Sequence, residues 1–332
     1  NDGDDNEGVT KKRRKMKRKN FIRHRPGGRM ILPFCVAALV LAGCGSENDV
    51  NGNGTTAGRT PLQVTSGIQT RAHDDVWEAG DAIGIFSMHG SGESLSMEDS
   101  NRKYTTTSDA TKGTFSPADA AQTIYFPTNG DTRDFIAYYP WQKTLGTDGR
   151  TYTVDVTDQK VQNLIDLLGA GKVTGKDKDH PQVALTFTHK LVKIALDIQA
   201  GNGLDNTALA GTGITLTGQR TNALYDVVAG GEVVIPEEGE ETGIELLTAA
   251  DGTAAEAIVL PVGDTEGMYL VFDIPDVGTF NWRVKDAPKS QSFEAGKKYI
   301  YTITVNRMSV EVESSVTDWQ PGNGEGETGS AE

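Results

Sequence analysis

Cysteine is nearly absent from this chain of 332 residues: it occurs twice, at Cys35 and Cys44. A chain beginning at Cys44 would have no pair for an internal disulfide, so its hydrophobic core must hold the fold. Long apolar runs are absent too. The longest candidate, 31–42, is a dozen residues, against the roughly 20 that a membrane-spanning helix needs. Histidine is scarce, and His24, His73, His89, His180 and His189 show no spacing of the His-Glu-x-x-His kind. There is no Gly-x-Ser-x-Gly elbow and no phosphate loop. Asp177 and Asp179 beside His180 read as a solvated turn, and Asp74-Asp75 lacks the run of oxygen ligands of a calcium loop. No catalytic residue, metal or cofactor is expected, and the chain reads as a non-enzyme.

What is present starts with Leu41-Ala42-Gly43-Cys44 after that short apolar run. Small residues before a cysteine, with Gly-Ser after it, form a lipobox, where a bacterial signal peptidase cuts and leaves a lipidated Cys44. All eleven Lys and Arg residues of positions 1–44 lie between Lys11 and Arg29, the basic flank that precedes a secretory apolar core. Met16 is favoured as the start over Met30, which would leave no basic segment. Beyond residue 44 remain 21 of the 32 basic and 42 of the 46 acidic residues, a net charge near −21. Such a surface is not expected to bind nucleic acid or anionic membrane. Glu47 and Asp49 resemble the signal that sends some lipoproteins to the outer face of the outer membrane.

The remainder divides by composition. Residues 1–43 read as an upstream segment and signal peptide, and 44–60 as a lipidated cysteine with a Gly- and Asn-rich tether. A tether of that kind has an rms reach of about 20 Å, and about 50 Å when stretched. From residue 61 the pattern is that of strands. Leu62, Val64 and Ile68 share one face of a period-two segment, and Phe135 to Tyr139 form an aromatic strand stopped by Pro140. Val192, Ile194, Leu196 and Ile198 alternate with Lys193, Ala195 and Asp197, as Val310, Val312 and Val316 do with Glu311 and Glu313. Only 161–168 looks locally helical. Short alternating strands between Gly, Asp and Asn turns predict an all-β chain of antiparallel β-sandwiches. About 270 residues favour two domains over one. The polar stretch 172–181 marks the expected boundary, giving domains at 61–180 and 181–319 and a disordered Gly- and Glu-rich tail at 320–332. Trp77, Trp141, Trp282 and Trp319 are scattered and read as core or sheet-edge anchors.

Five blocks in order resemble the fimbrillin family, the subunits of type V pili. They are Trp77-Glu78-Ala79-Gly80-Asp81-Ala82-Ile83-Gly84-Ile85-Phe86; the aromatic strand from Phe135; Asp166-Leu167-Leu168-Gly169-Ala170; Phe187-Thr188-His189-Lys190-Leu191-Val192-Lys193-Ile194; and Tyr299-x-Tyr301-Thr302 with Val316-Thr317-Asp318-Trp319. Gly169 departs from the pattern, standing where a large residue is common.

The resemblance implies two tandem transthyretin-like antiparallel β-sandwich domains behind a lipoprotein signal peptide. In pilus-forming members a trypsin-like protease cuts after an arginine past the first strand, and a strand of the next subunit fills the emptied groove. Here the matching bond follows Arg71, before Ala72, with Arg59 as runner-up. The lost strand would carry Leu62, Val64 and Ile68, and the donor would carry Val310, Val312 and Val316. The expectation is a structural subunit of a surface pilus contributing to adhesion. It would be an outer-membrane lipoprotein released into the fimbrium after processing, with other pilus subunits as its partners. A host or glycan ligand is a further candidate partner. The alternatives are a monomeric surface lipoprotein that binds glycans or host ligands, and a non-polymerising anchor or tip subunit.

Overall fold

The computed structural model describes residues 58–68, 76–89, 94–96, 99–239, 241–307, 309–318 and 327–331. Cys44, Arg71, Ala72 and Trp319 lie outside the described residues. Turn-forming Gly, Asp and Asn separate short β-branched and aromatic runs, and these become strands. In chain order the first five are β1 (Gln63–Ile68), β2 (Ala82–His89), β3 (Arg102–Thr106), β4 (Lys112–Pro117) and β5 (Arg133–Tyr139). Then come β6 (Thr151–Asp155), β7 (Leu168–Ala170), β8 (Val173–Lys176), β9 (Gln182–His189) and β10 (Val192–Ala200). They are followed by β11 (Gly213–Thr217), β12 (Asn222–Asp226), β13 (Ile244–Glu245), β14 (Leu247–Thr248) and β15 (Ala254–Val259). The last are β16 (Tyr269–Ile274), β17 (Gly278–Arg283), β18 (Lys297–Asn306), β19 (Ser309–Asp318) and β20 (Glu327–Ala331). The fold is all-β, with sheets packed in sandwich fashion. The stretch 161–168 holds a single 3-10 turn, Gln162–Leu164, and no α-helix.

The first sheet has the order β2-β3-β4-β1-β9-β7-β5-β8, and β2 also pairs with β5. That extra pairing closes seven strands into a ring. Closure removes sheet edges, the usual liability of an antiparallel sheet. A six-stranded sheet (β14-β15-β10-β18-β19-β20) and a four-stranded one (β13-β11-β16-β17) pack around a second core, and β6 pairs with β12. The stretch 172–181 carries β8 and the turn into β9, and β9 belongs to the first sheet. Glu327–Ala331, assigned by composition to the tail, pairs antiparallel with β19. The open backbone of β19 can accept a neighbour whatever its side chains.

The two cores meet at β2 and β5. Phe135, Ala137 and Tyr139 point into the first cluster with Ile83 and Ile85, whereas Ile136 and Tyr138 point into the second with Phe86 and Met88. A strand buried on both faces reads as continuous apolar sequence rather than alternation. Hence the unbroken Phe-Ile-Ala-Tyr-Tyr of β5. Gly84 stands opposite Tyr138 in this wall because a Cβ there would lie 2.2 Å from the ring.

The surface is held partly by aspartates that cap turns. Asp148 accepts the Thr151 hydroxyl at 2.6 Å and the amides of Arg150 and Thr151, which lower its pKa to about 2. Threonine hydroxyls likewise lower Asp205 and Asp251. Carboxyls depressed in the folded state stabilise it above their unfolded pKa, and that stabilisation is lost as pH falls through the folded value. Urea midpoints are therefore expected to fall between pH 3.8 and about 2. Asp148→Asn should flatten that slope, and an unchanged slope would count against the capping role.

Candidate functional site

The residues that the sequence singles out gather around β1. It runs antiparallel to β4, with Val64 opposite Phe115 and Ser66 opposite Gly113. On its other side it runs parallel to β9, with Val64 opposite Val183 and Ile68 opposite Phe187. Leu62 and Val64 are buried in the first core, and Ile68 is half-buried against it. Ser66 completes the inward row: it is buried, and its Oγ has no hydrogen-bond partner among the described residues. Gln63 and Thr65 face outward. Backbone bonds from Leu62 to Ile124 and from Gln63 to Pro181 fix the start of the strand.

Trp77 forms the floor of this region. Its ring meets Phe115 of β4, Tyr139 of β5 and Phe187 of β9 edge-on at centroid distances of 5.1, 5.4 and 5.3 Å. The following turn needs Gly80, whose φ is +104°. Asp81 bolts that turn to β5, accepting the Glu78 amide at 2.8 Å and the Tyr139 hydroxyl at 3.0 Å. The Tyr139 phenol is raised well above the usual tyrosine range by burial first and by Asp81 second. Asp166 accepts from His189 Nδ1 at 3.0 Å, tying the segment before β7 to β9, and the Lys190 amide bonds Leu167. A cavity of about 390 Å3 lies beside these groups, lined by Ile68, Trp77, Asp81, Tyr139, His189 and Lys193 among others. Four of the five sequence blocks thus converge on the frame around the end of β1.

The other candidates lie elsewhere. Arg59 precedes β1, its guanidinium 5.1 Å from the centroid of the Tyr125 ring. Val310 and Val312 are buried in the second core, and Val316 packs against it, all within β19. β19 pairs along its length with β18, from Lys297 opposite Asp318 to Asn306 opposite Ser309. Trp77 and Trp282 are fully buried core residues, and Trp141 is half-buried, its ring centroid 4.6 Å from the ammonium of Lys103. Among the described residues no group of three His, Cys, Asp or Glu side chains could hold a metal ion. Sequence reading missed Ser66, because a serine interrupts the apolar alternation. Its place two residues after Val64 and two before Ile68 was the available signal.

A model of fimbrillin-like proteins matches residues 70–319. The chain belongs to the fimbrillin-like family. It is 49% identical over 302 residues to a Bacteroides uniformis protein named "Putative fimbrium subunit Fim1C", covering 90% of this chain and 97% of that one. A crystal structure described as a "putative cell adhesion protein" from Bacteroides uniformis superposes with a TM-score of 0.72 at 47% identity. It covers 80% of this chain and all of that one. A Bacteroides ovatus protein of the same description, 21% identical, has a TM-score of 0.63 over 80% of this chain and 99% of its own, and shares the fold.

Proposed function

We propose that this protein is a structural subunit of a cell-surface pilus. It is exported as a lipoprotein through Cys44 to the outer membrane and assembled by strand exchange after cleavage at Arg71. The observation that carries the reading is the position of β1. It is an interior strand of a closed ring, yet it is the first described strand of the chain and ends at Ile68, three residues before Arg71. A cut at Arg71 severs it from the body of the fold, along with everything up to the lipid. A cut at Arg59 leaves it attached.

Loss of β1 uncovers backbone donors and acceptors on β4 and β9, together with the apolar sites of Leu62, Val64 and Ile68. That combination is what strand addition uses: main-chain bonds give affinity, and alternate pockets give specificity. Burying side chains such as Leu62 and Val64 contributes about 1.5–3 kcal/mol each, so an empty groove is a strongly unfavourable state that a partner strand relieves. The relative named for a fimbrium supports the same reading.

N-terminal sequencing of the protein from intact cells tests it, with Ala72 as the expected first residue. Trypsin treatment of the folded precursor should give SDS-resistant ladders, absent in Arg71→Ala. Cleavage at Arg71 with no oligomer under any condition would sink the polymerising role. A Cys44 start in assembled fibres would mean that the first strand is retained.

A further inference from the structure

We propose that a cavity of about 350 Å3 beside Gly169, between β7, β9 and β12, is a binding site for a single sugar ring that carries a carboxylate. Lys190 and Lys172 hold the carboxylate, and the hydroxyls of Tyr225 and Thr186 meet those of the ring. The site uses the face of β9 turned away from the first core, and it stands whether or not strands are exchanged.

Gly169 is where this chain departs from the family pattern, and the fold gives the departure a use. Leu168 and Ala170 belong to the first core, so the intervening residue faces the opposite way. Gly169 stands opposite Tyr138 on β5 and Thr188 on β9. A Cβ on it would lie 2.2 Å from the Tyr225 hydroxyl oxygen and 2.6 Å from Cε of Lys190. A large side chain would displace both groups. Glycine lets them converge on one cavity, whose remaining wall includes Gly171, Gly230 and Gly231.

Both converging groups lack a polar partner. Tyr225 is 1% exposed, and its hydroxyl makes no hydrogen bond to any described residue. Burial first, then Asp226 and Glu232, push the phenol up to about 12, so it remains a donor at neutral pH. Lys190 is half-buried, with its ammonium 5.9 Å from the centroid of the Tyr225 ring. Burial lowers its pKa, and among the described residues no carboxylate pairs with it. An ammonium so placed has lost hydration without gaining a counter-charge, and a bound anion supplies one. The chain has 46 acidic residues against 32 basic, so a cation left unpaired in a cleft is a local exception. Lys172 adds a second, exposed cation at the rim.

The lining also sets the class of ligand. Two ammonium groups call for an anion, but bare phosphate or sulfate is small for this space, whereas one sugar ring matches it. Thr186 faces outward on β9, and the Thr188 hydroxyl donates to the Gly169 carbonyl at 3.4 Å, so hydroxyls flank the charged end. Glu232 acts on both Lys190 and Tyr225. It offers an acceptor to ring hydroxyls and opposes any second negative charge. A concave site with a few convergent polar groups over a buried floor of Ile136, Ala170 and Tyr225 suits one carboxylate and several hydroxyls.

Isothermal titration calorimetry on the full-length protein tests this with galacturonate, N-acetylneuraminate, galactose and inorganic phosphate. At least one of the two sugar acids should bind saturably, and which one does distinguishes a uronic from a sialic source. Galactose and phosphate should bind about tenfold more weakly or not at all, and Lys190→Met should weaken the acid by a similar factor, as expected for a lost hydrogen bond to a charged group. Lys172→Met, at an exposed position where folding is not at stake, should weaken it too, and Glu232→Gln should tighten it. Binding of neither acid overturns the site. Phosphate binding as tightly as the acid overturns the sugar class, and galactose doing so overturns the role of the lysines. An acid whose binding neither lysine variant changes lies elsewhere, which overturns the assignment. None of these outcomes bears on strand exchange, which the trypsin ladders test separately.

Discussion

Trp77→Ala is expected to lower the stability of the protein by about 3–5 kcal/mol, the range for truncating a large aromatic in a packed core. Trp77 is 1% exposed and sits edge-on to one aromatic from each of β4, β5 and β9. Edge-to-face pairs add about 0.5–1.5 kcal/mol each beyond their buried area, and here three are lost together. The Nε1 of the indole has no hydrogen-bond partner among the described residues, so the cost is one of packing and cavity rather than of polar contacts. Trp77→Phe should therefore recover a large part of the loss. β4 and β9 are also the two flanks of β1, which makes this ring the brace that holds the groove at its width. Urea unfolding followed by far-ultraviolet circular dichroism gives the difference. A loss below about 1 kcal/mol would mean that the site collapses around the smaller side chain.

Much of this frame is legible in the sequence, because alternation reports burial on one face directly. The rows at Leu62, Val64 and Ile68, at Val192 to Ile198 and at Val310 to Val316 are all strands with those residues inward or packed against a core. Legibility fails where one local pattern has two physical causes. The polar, turn-rich stretch 172–181 has the composition of a domain boundary, yet it carries β8 and the tight turn into β9, with Asp177 accepting the His180 amide. The apolar spacing of 161–168 looks helical. In the fold, Leu167 and Leu168 are consecutive residues that enter different cores, Leu167 the second and Leu168 the first.

Other features leave no local trace at all. β1 pairs in parallel with β9, joining Gln63 to Gln182, and no short-range rule connects residues so far apart. The closing of the ring by β2 and β5 is equally non-local. The motif Trp77 to Phe86 was recognisable as a block, but its purpose emerges only in three dimensions. It supplies the floor ring, the Gly80 turn, the Asp81 anchor and half of the wall between the cores.

That wall gives the second large effect. Tyr138→Ala is expected to cost about 3–5 kcal/mol, by analogy with truncation of other large buried aromatics. Tyr138 is fully buried, with Tyr152 at 5.5 Å and Phe86 at 6.3 Å between centroids. Its hydroxyl donates to Asn101 at 2.8 Å and accepts from the Gln142 amide at 3.1 Å, so truncation also strips partners from half-buried polar groups. Although the side chain lies in the second core, its strand carries Phe135, Ala137 and Tyr139 into the first. A defect on one face of β5 is thus a defect in the support of the other. Hydrogen exchange should show amide protection in β9 and in β18 falling together, by similar free energies. A loss confined to β18 and its neighbours would show that the two cores unfold independently despite the shared wall. If the losses are equal, the strength of the wall sets the stability of the groove around β1, because the ring that holds β1 closes through the β2–β5 pair.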